Sequence, residues 1–244
     1  MRQVPNYLII GNGRVARHLC RYFTLLKIKK YSCWDRSQPL ERLHELAASA
    51  THLLVAIKDS AIEPFIDEHL GHYAAKKIHF SGSLVTKKAY GAHPLMTFGP
   101  KMYDLEKYLA IPFVIDAKAP PFRDLFPGLH NPHVRLNPAQ KAKYHALCVM
   151  AGNFSCLLWQ KLFDSLHSEF GIRPHTADMY LRQQTENLLA DYKTALTGPL
   201  ARGDQETLKR NLKALEGDPF QAVYQAFVKA HSFEQLGKIR EKAS

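Results

Sequence analysis

A short apolar run, Tyr7-Leu-Ile-Ile10, feeds directly into Gly11-Asn12-Gly13-Arg14-Val15-Ala16 and then into a segment of helical spacing through Leu19. Strand, glycine turn and helix in that order is the opening unit of a dinucleotide-binding α/β fold. Gly11 permits the tight turn, and Gly13 lets backbone N–H groups approach a pyrophosphate. Ala16 in the third position lets helix and strand pack closely. The helix N-terminus adds a partial positive charge facing the phosphates. A glycine-rich turn without a ligand would carry the same pattern, so the reading rests on the strands and loops that come after it in the chain.

Tyr31-Ser-Cys-Trp34 reads as a second strand, ending at Asp35-Arg36-Ser37, nineteen residues beyond Ala16. That is where such a fold meets the adenosine ribose. Asp35 would favour NAD by accepting from a 2′-hydroxyl, whereas Arg36 beside the Ser37 hydroxyl would favour the 2′-phosphate of NADP. With Arg36 and Ser37 at the loop tip and Asp35 free to turn away, NADP is the preferred expectation. Arg36 as a plain surface charge is the alternative.

After a helical stretch from Leu40 to Ala48, the run His52-Leu-Leu-Val-Ala-Ile57 suits a parallel strand covered on both faces. Ligands of open α/β sheets bind outside the carboxyl ends of strands, which places Ala56 to Ser60 beside the nicotinamide half of a cofactor, with Ala56, Ile57 and Lys58 as its contacts. Lys77-Ile-His-Phe80 is another strand, delivering Ser81-Gly82-Ser83 to the same rim. Gly91 to Phe98 reads as a loop before a strand at Pro112–Ile115. Within that loop, Pro94 holds His93 in an extended backbone. The His93 ring is a candidate partner for a substrate oxygen, although a histidine bonding loop backbone would look the same.

From Ala119 to Pro138 the chain changes character, with five prolines and a short strand candidate at His133–Leu136. We therefore place a domain junction between residues 118 and 119. Asn137-Pro138 starts a helix that runs to about Glu169, where Gly171 ends it. Further helices are expected from Pro174 to about Leu196, from Asp204 to Glu216, and from Pro219 toward Lys238. On the long helix, Tyr144, His145, Cys148, Gly152, Asn153 and Cys156 approximate one face. Asn153 interrupts an apolar stretch, where a buried amide needs a partner. His145 is a candidate proton donor or substrate anchor, or else a satisfied interdomain histidine. In Thr197-Gly-Pro-Leu-Ala-Arg202-Gly-Asp204, Arg202 either binds an anion or pairs with Asp204 to stiffen the loop.

Two features bear on partners. The 244 residues carry a net charge of +11, which suits an anionic cofactor and a small anionic substrate. The positive residues are scattered rather than interleaved with aromatics, which argues against nucleic acid. No uninterrupted apolar run reaches the roughly 18 residues of a membrane span and no leader-like segment precedes the first strand, so a cytoplasmic location is expected, with no membrane partner. The four cysteines lack CxxC spacing and lie in apolar contexts, which reads as buried free thiols with no metal.

Taken together, Gly11-Asn-Gly13-Arg-Val-Ala16, Ser81-Gly82-Ser83, His93-Pro94-Leu95, the helix from Tyr144-His145-Ala146 to Asn153, and Thr197 to Asp204 resemble the Rossmann-like proteins that carry the domain DUF2520 and are described as NADP oxidoreductases. The resemblance spans almost the whole chain, and the last motif is the most specific. More remotely the chain is similar to 6-phosphogluconate and β-hydroxyacid dehydrogenases and to pyrroline-5-carboxylate reductase. It implies an α/β protein, with an N-terminal Rossmann-type, mostly parallel sheet over 1–118 and an all-α C-terminal substrate and dimerisation domain over 119–244. The implied activity is NADP-dependent hydride transfer to or from a C=O or C=N carbon. His93, His145 and Asn153 would serve as catalytic groups, and Ser81, Ser83 and Arg202 would contact substrate. Homodimerisation through the helical half is likewise implied by the resemblance. β-Hydroxyacid dehydrogenases carry a catalytic lysine four residues before the helix asparagine, and here that position is Val149. Their acid/base scheme does not transfer, which keeps open a non-catalytic NADP(H)-binding sensor or scaffold.

Overall fold

The computed structural model describes residues 4–242, with side chains described through Ser232. By packing the chain forms two units, Met1–Leu158 and Trp159–Ser244.

The first unit is a seven-stranded sheet in the order β2-β1-β3-β4-β5-β6-β7. Its strands are β1 (Tyr7–Ile10), β2 (Tyr31–Trp34), β3 (His52–Val55), β4 (Lys76–His79), β5 (Tyr90–Pro94), β6 (Phe113–Asp116) and β7 (His133–Leu136). The first five run parallel, β6 is antiparallel to β5, and β7 is parallel to β6. This is a Rossmann-type sheet. Chain order reverses around β1, and the switch point falls between the carboxyl ends of β1 and β3, where open α/β sheets hold ligands.

Alternation along β1 explains its central place. Tyr7 and Ile9 face one core with Ala16, Leu19 and Phe23 of α1 (Arg14–Leu25), the i, i+3, i+7 positions of an amphipathic helix. Leu8 and Ile10 face the opposite core with Leu43 and Ala47 of α2 (Leu40–Ser49) and Ile62 of α3 (Asp59–Phe65). Full burial of each such side chain stabilises the fold by about 1.5–3 kcal/mol, so a strand apolar on both faces is held at the centre. A turn of π-helix, Ile66–Leu70, extends α3.

Residues Tyr90–Pro94 form a strand, not the expected loop. The segment lacks a β-branched run and contains glycine and proline. It is extended because β4 and β6 pair with it on both sides. Short helices α4 (Leu105–Ala110) and α5 (Phe122–Leu125) flank β6, and β7 places the stretch after residue 119 in the same sheet.

Helix α6 (Pro138–Val149) passes through a π-helical turn at Met150–Phe154 into α7 (Ser155–Ser168), 31 residues in all. Asn137 occupies the N-cap with extended backbone but makes no side-chain cap bond. Gly171, at φ +65°, ends the helix as expected. This helix is long and apolar enough to cross a membrane by length and composition, although no run in the sequence is uninterrupted. Leu147, Met150, Phe154 and Leu157 stand exposed along it.

In the second unit the expected helix from Pro174 is a 3-10 turn, Pro174–Ala177, followed by α8 (Asp178–Ala190). It stops early because the Asp191 carboxylate caps its own turn, accepting from Lys193 N and Thr194 Oγ1. Next come α9 (Gly198–Arg202), closed by left-handed Gly203, α10 (Gln205–Ala214) and α11 (Phe220–Lys242). Asp204 caps α10 by accepting from Thr207 N at 3.0 Å. Lys161 bridges Asp218 at 2.5 Å and Glu169 at 3.7 Å. Tyr180, Leu189 and Tyr192 are exposed, Leu189 by 83%.

Candidate functional site

At the carboxyl ends of β1–β4 lies a groove of about 870 Å³. The sequence-chosen residues Gly11, Asn12, Gly13, Arg14, Val15, Asp35, Arg36, Ser37, Ala56, Ile57 and Lys58 all line it, joined by Trp34, Asp59, Phe80 and Ser81. Gly11 sits at φ +125°, and a Cβ there would strike the Ala56 carbonyl, with its carbon at 3.0 Å, so β1 and β3 converge only with glycine. Gly13 has nothing within 4 Å of its Cβ position, so the turn backbone is open. It is also the N-cap of α1, where no side chain bonds the helix end and no acidic residue occupies the first turn. The terminal N–H groups and the positive end of the dipole are uncompensated, as an anion site requires.

At the β2 end, Asp35 accepts from Ser37 N at 2.8 Å and from Ser37 Oγ at 2.6 Å. These bonds, led by the serine hydroxyl, hold its carboxyl below the ordinary value. The carboxylate is engaged within its own turn while Arg36 stands exposed. The residues present therefore fit a nicotinamide dinucleotide, with Arg36 the exposed cation at its ribose end.

The far end of the groove closes on the turn after β4. Ser81 Oγ donates to Asp59 and accepts from Leu84 N at 3.0 Å and from Ser83 N at 3.3 Å. The Ser81 hydroxyl is thus committed to turn and carboxylate, and Ser83 takes part through its backbone N–H. Against this turn packs His145, whose Nδ1 is buried with no hydrogen-bond partner. The rings of His145 and His93 lie edge to face with centroids 5.5 Å apart.

His93 Nδ1 is 2.9 Å from Tyr144 Oη. Burial first, then the neighbouring His145 and Lys141, push His93 down to about 4, against an opposing pull from Asp59. It is neutral near pH 7. Burial and the neighbouring Cys148 raise the Tyr144 hydroxyl, which keeps its proton. Lys141 Nζ, itself buried, bonds Asp116 Oδ1 at 2.7 Å, and the other carboxylate oxygen accepts from Gly91 N at 2.5 Å. This ties the first turn of α6 to β5 and β6. Lys141, Tyr144 and His145 follow at i, i+3 and i+4, so the ion pair points that face of the helix at His93.

His93, His145, Ser81 and Ser83 thus come together, while Asn153 is exposed and does not join them. The sequence reading expected a buried amide there, but the apolar side chains around it, Met150, Phe154 and Leu157, are themselves uncovered. Arg202 lies on α9 of the second unit. The sequence reading assigns Tyr144 no role of its own and places Asp59 only beside the nicotinamide half, within Ala56 to Ser60. The signals were there: Tyr144 lies three residues past Lys141 on the His145 face, and Asp59 follows Lys58 at a strand's carboxyl end.

Residues 111–231 match the family model described as Domain of unknown function (DUF2520). No curated protein matches the chain in sequence. Among solved structures, the chain is similar to a "putative NADP oxidoreductase" from Bacteroides fragilis, at 20% identity over 93% of this chain and 97% of that one, with a TM-score of 0.75. A protein from Thermotoga maritima matches at 22% identity over 93% and 96%, with a TM-score of 0.65. A reductive aminase from Aspergillus terreus, in complex with NADPH4, cyclohexanone and allyl amine, matches at 14% identity over 96% and 88%, with a TM-score of 0.56. At these identities the likeness establishes a shared fold.

Proposed function

We infer that this protein, which carries the DUF2520 match, is an NADP(H)-dependent oxidoreductase acting on a C=O or C=N carbon of a small anionic metabolite. The carrying observation is the groove itself: open glycine turn, uncapped helix end, Arg36–Ser37 at one extreme and the His93–His145 pair behind the other. Gly11, Gly13 and the α1 N-terminus would hold the pyrophosphate, Arg36 the 2′-phosphate, and Ala56–Lys58 the nicotinamide half. The bound dinucleotide supplies the hydride. The chain's own contribution is orientation and proton management. Neutral His93, accepting a hydrogen bond from the Tyr144 hydroxyl at Nδ1, would carry its hydrogen on Nε2 and could donate a hydrogen bond to a substrate oxygen or nitrogen. His145, whose buried Nδ1 lies against Gly82, would position His93 through the edge-to-face ring contact. Lys58 and Arg14 supply positive charge toward an anionic substrate.

NADPH should raise the melting temperature well above the shift given by NADH. At ligand a hundredfold above Kd, the stabilisation is about 2.7 kcal/mol. Equal shifts, or none, would overturn the assignment. A second reading, a non-catalytic NADP(H) sensor, is favoured by Val149 at the position where a related dehydrogenase scheme needs lysine. It predicts retained cofactor affinity and no turnover on any carbonyl or imine panel.

We further propose that a second copy covers the apolar side of Pro138–Ser168, because Leu147, Met150, Phe154 and Leu157 form one uncovered stripe. Sedimentation equilibrium should give a dimer. A monomer, or a protein that floats with lipid vesicles, refutes it.

A further inference from the structure

Two thiols meet beside the groove, away from the histidine cluster. Cys20 projects from the middle of α1, half-buried, and Cys33 stands exposed on β2, the edge strand of the sheet. Tyr31, two residues before Cys33 and on the same face of β2, reaches α1 by donating to the Cys20 carbonyl at 3.4 Å and pairing with Thr24 Oγ1 at 2.7 Å. That face of the strand is thereby fixed on the helix: Cys33 lies beside Ile9 in the sheet register, Ile9 and Cys20 share the core that α1 packs on, and the two thiols are close enough to shift each other's titration. The sequence reading of four buried thiols fails here: Cys33 and Cys156 are exposed.

We propose that Cys33 and Cys20 form a thiol-modification site for small-molecule disulfides of the glutathione class, with Cys33 the attacking thiol and Cys20 the resolving one. The neighbouring Cys20 side chain holds the Cys33 thiol below its ordinary value. Cys20 is raised, first by the neighbouring Cys33 and then by burial. An exposed, thiolate-prone cysteine beside a protonated, half-buried partner is the arrangement that thiol–disulfide exchange uses.

The Cys33 thiolate attacks one sulfur of the external disulfide. A sulfur–sulfur bond forms to Cys33, and the other half leaves as a thiolate. Cys20 then loses its proton to solvent and attacks the Cys33 sulfur, closing the Cys20–Cys33 bond and releasing the second thiolate. Two protein thiols are oxidised and one external disulfide is reduced to two thiols. Cys33 lies two residues before Asp35, so the modification occurs at the base of the loop that lines the groove.

The full chain is incubated with oxidised glutathione, then analysed by intact mass and peptide mapping without reduction. The expected product has lost two hydrogens, with Cys20 and Cys33 in one crosslinked peptide pair. In Cys20→Ser a single glutathionyl group should remain on Cys33. In Cys33→Ser neither species should form. Faster labelling of Cys156 than of Cys33 in the unmutated protein, or Cys33 glutathionylation that never resolves while Cys20 is present, overturns the proposal. The mapping of unmutated protein decides even if a variant fails to fold.

Discussion

Gly82 and His145 are mutually exclusive with any larger residue at position 82: a Cβ there would overlap the imidazole Nδ1 and come within 3.0 Å of its Cγ. The backbone needs no unusual φ at this glycine, so the restriction comes entirely from the ring. In Gly82→Ala the ring must swing away, or α6 must move, and overpacking of this kind costs about 1–3 kcal/mol. If His145 serves the reaction, Gly82→Ala should lose turnover as His145→Ala does, and the double variant should lose no more than either single one. Steady-state kinetics with NADPH Kd measured in parallel checks this. Additive losses would show that the two residues act separately.

The glycine turn gives a sharper contrast. Gly11→Ala puts a side chain into a positive-φ position facing the Ala56 carbonyl, so the sheet itself must open. Gly13→Ala meets nothing within the protein and keeps an extended backbone at φ −72°. Gly11→Ala should be markedly destabilised, by about 1–3 kcal/mol from the backbone conformation alone. Gly13→Ala should melt near the unmutated protein yet bind NADPH more weakly, since its methyl enters the groove. Chemical denaturation and cofactor titration separate the two effects.

Much of this groove was legible in the sequence, because every part of it is local. A run apolar on both faces, a glycine turn and a charged strand end each sit within ten residues of Tyr7, Trp34 or Val55. The histidine cluster was legible only by halves. The spacing of Lys141, Tyr144 and His145 shows one helix face, but what that face meets depends on Asp116 and His93, which only sheet pairing brings near. Strand β5 was missed for the same reason, since Tyr90-Gly-Ala-His-Pro94 has no strand-forming pattern of its own. Asn153 misled because apolar neighbours usually mean burial, and here they mean an uncovered face.

Stability should fall on acidification through two histidines. His79 is fully buried, and burial with the Lys141 charge pushes it down to about 4 against the pull of Asp116, Asp59 and Glu63. His93 is likewise at about 4. Each is depressed from the ordinary 6.5, so below 6.5 the unfolded chain binds protons that the folded chain refuses. Stability is therefore intact above that pH and lost as pH falls toward 4, by about 3 kcal/mol for His79 and less for the partly exposed His93. Urea midpoints across this window should drop, and His79→Gln should flatten the slope. An unchanged slope in that variant would place the loss elsewhere.

The Lys141–Asp116 pair makes the strongest energetic prediction because Lys141 is buried and Asp116 mostly so. Lys141→Met strands the Asp116 carboxylate, which keeps only Gly91 N as a donor, and should cost about 3–5 kcal/mol. Replacing both residues, as Lys141→Met with Asp116→Leu, removes the stranded charge and should recover most of that loss, since buried ion pairs return little net stability. The pair's contribution is then positional. It fixes the first turn of α6 to the β5–β6 edge, one helical turn before His145. The double variant should thus melt close to the unmutated protein while losing turnover, with NADPH affinity kept because no groove residue has changed. Turnover equal to the unmutated protein in the double variant would show that α6 is held in place by packing alone.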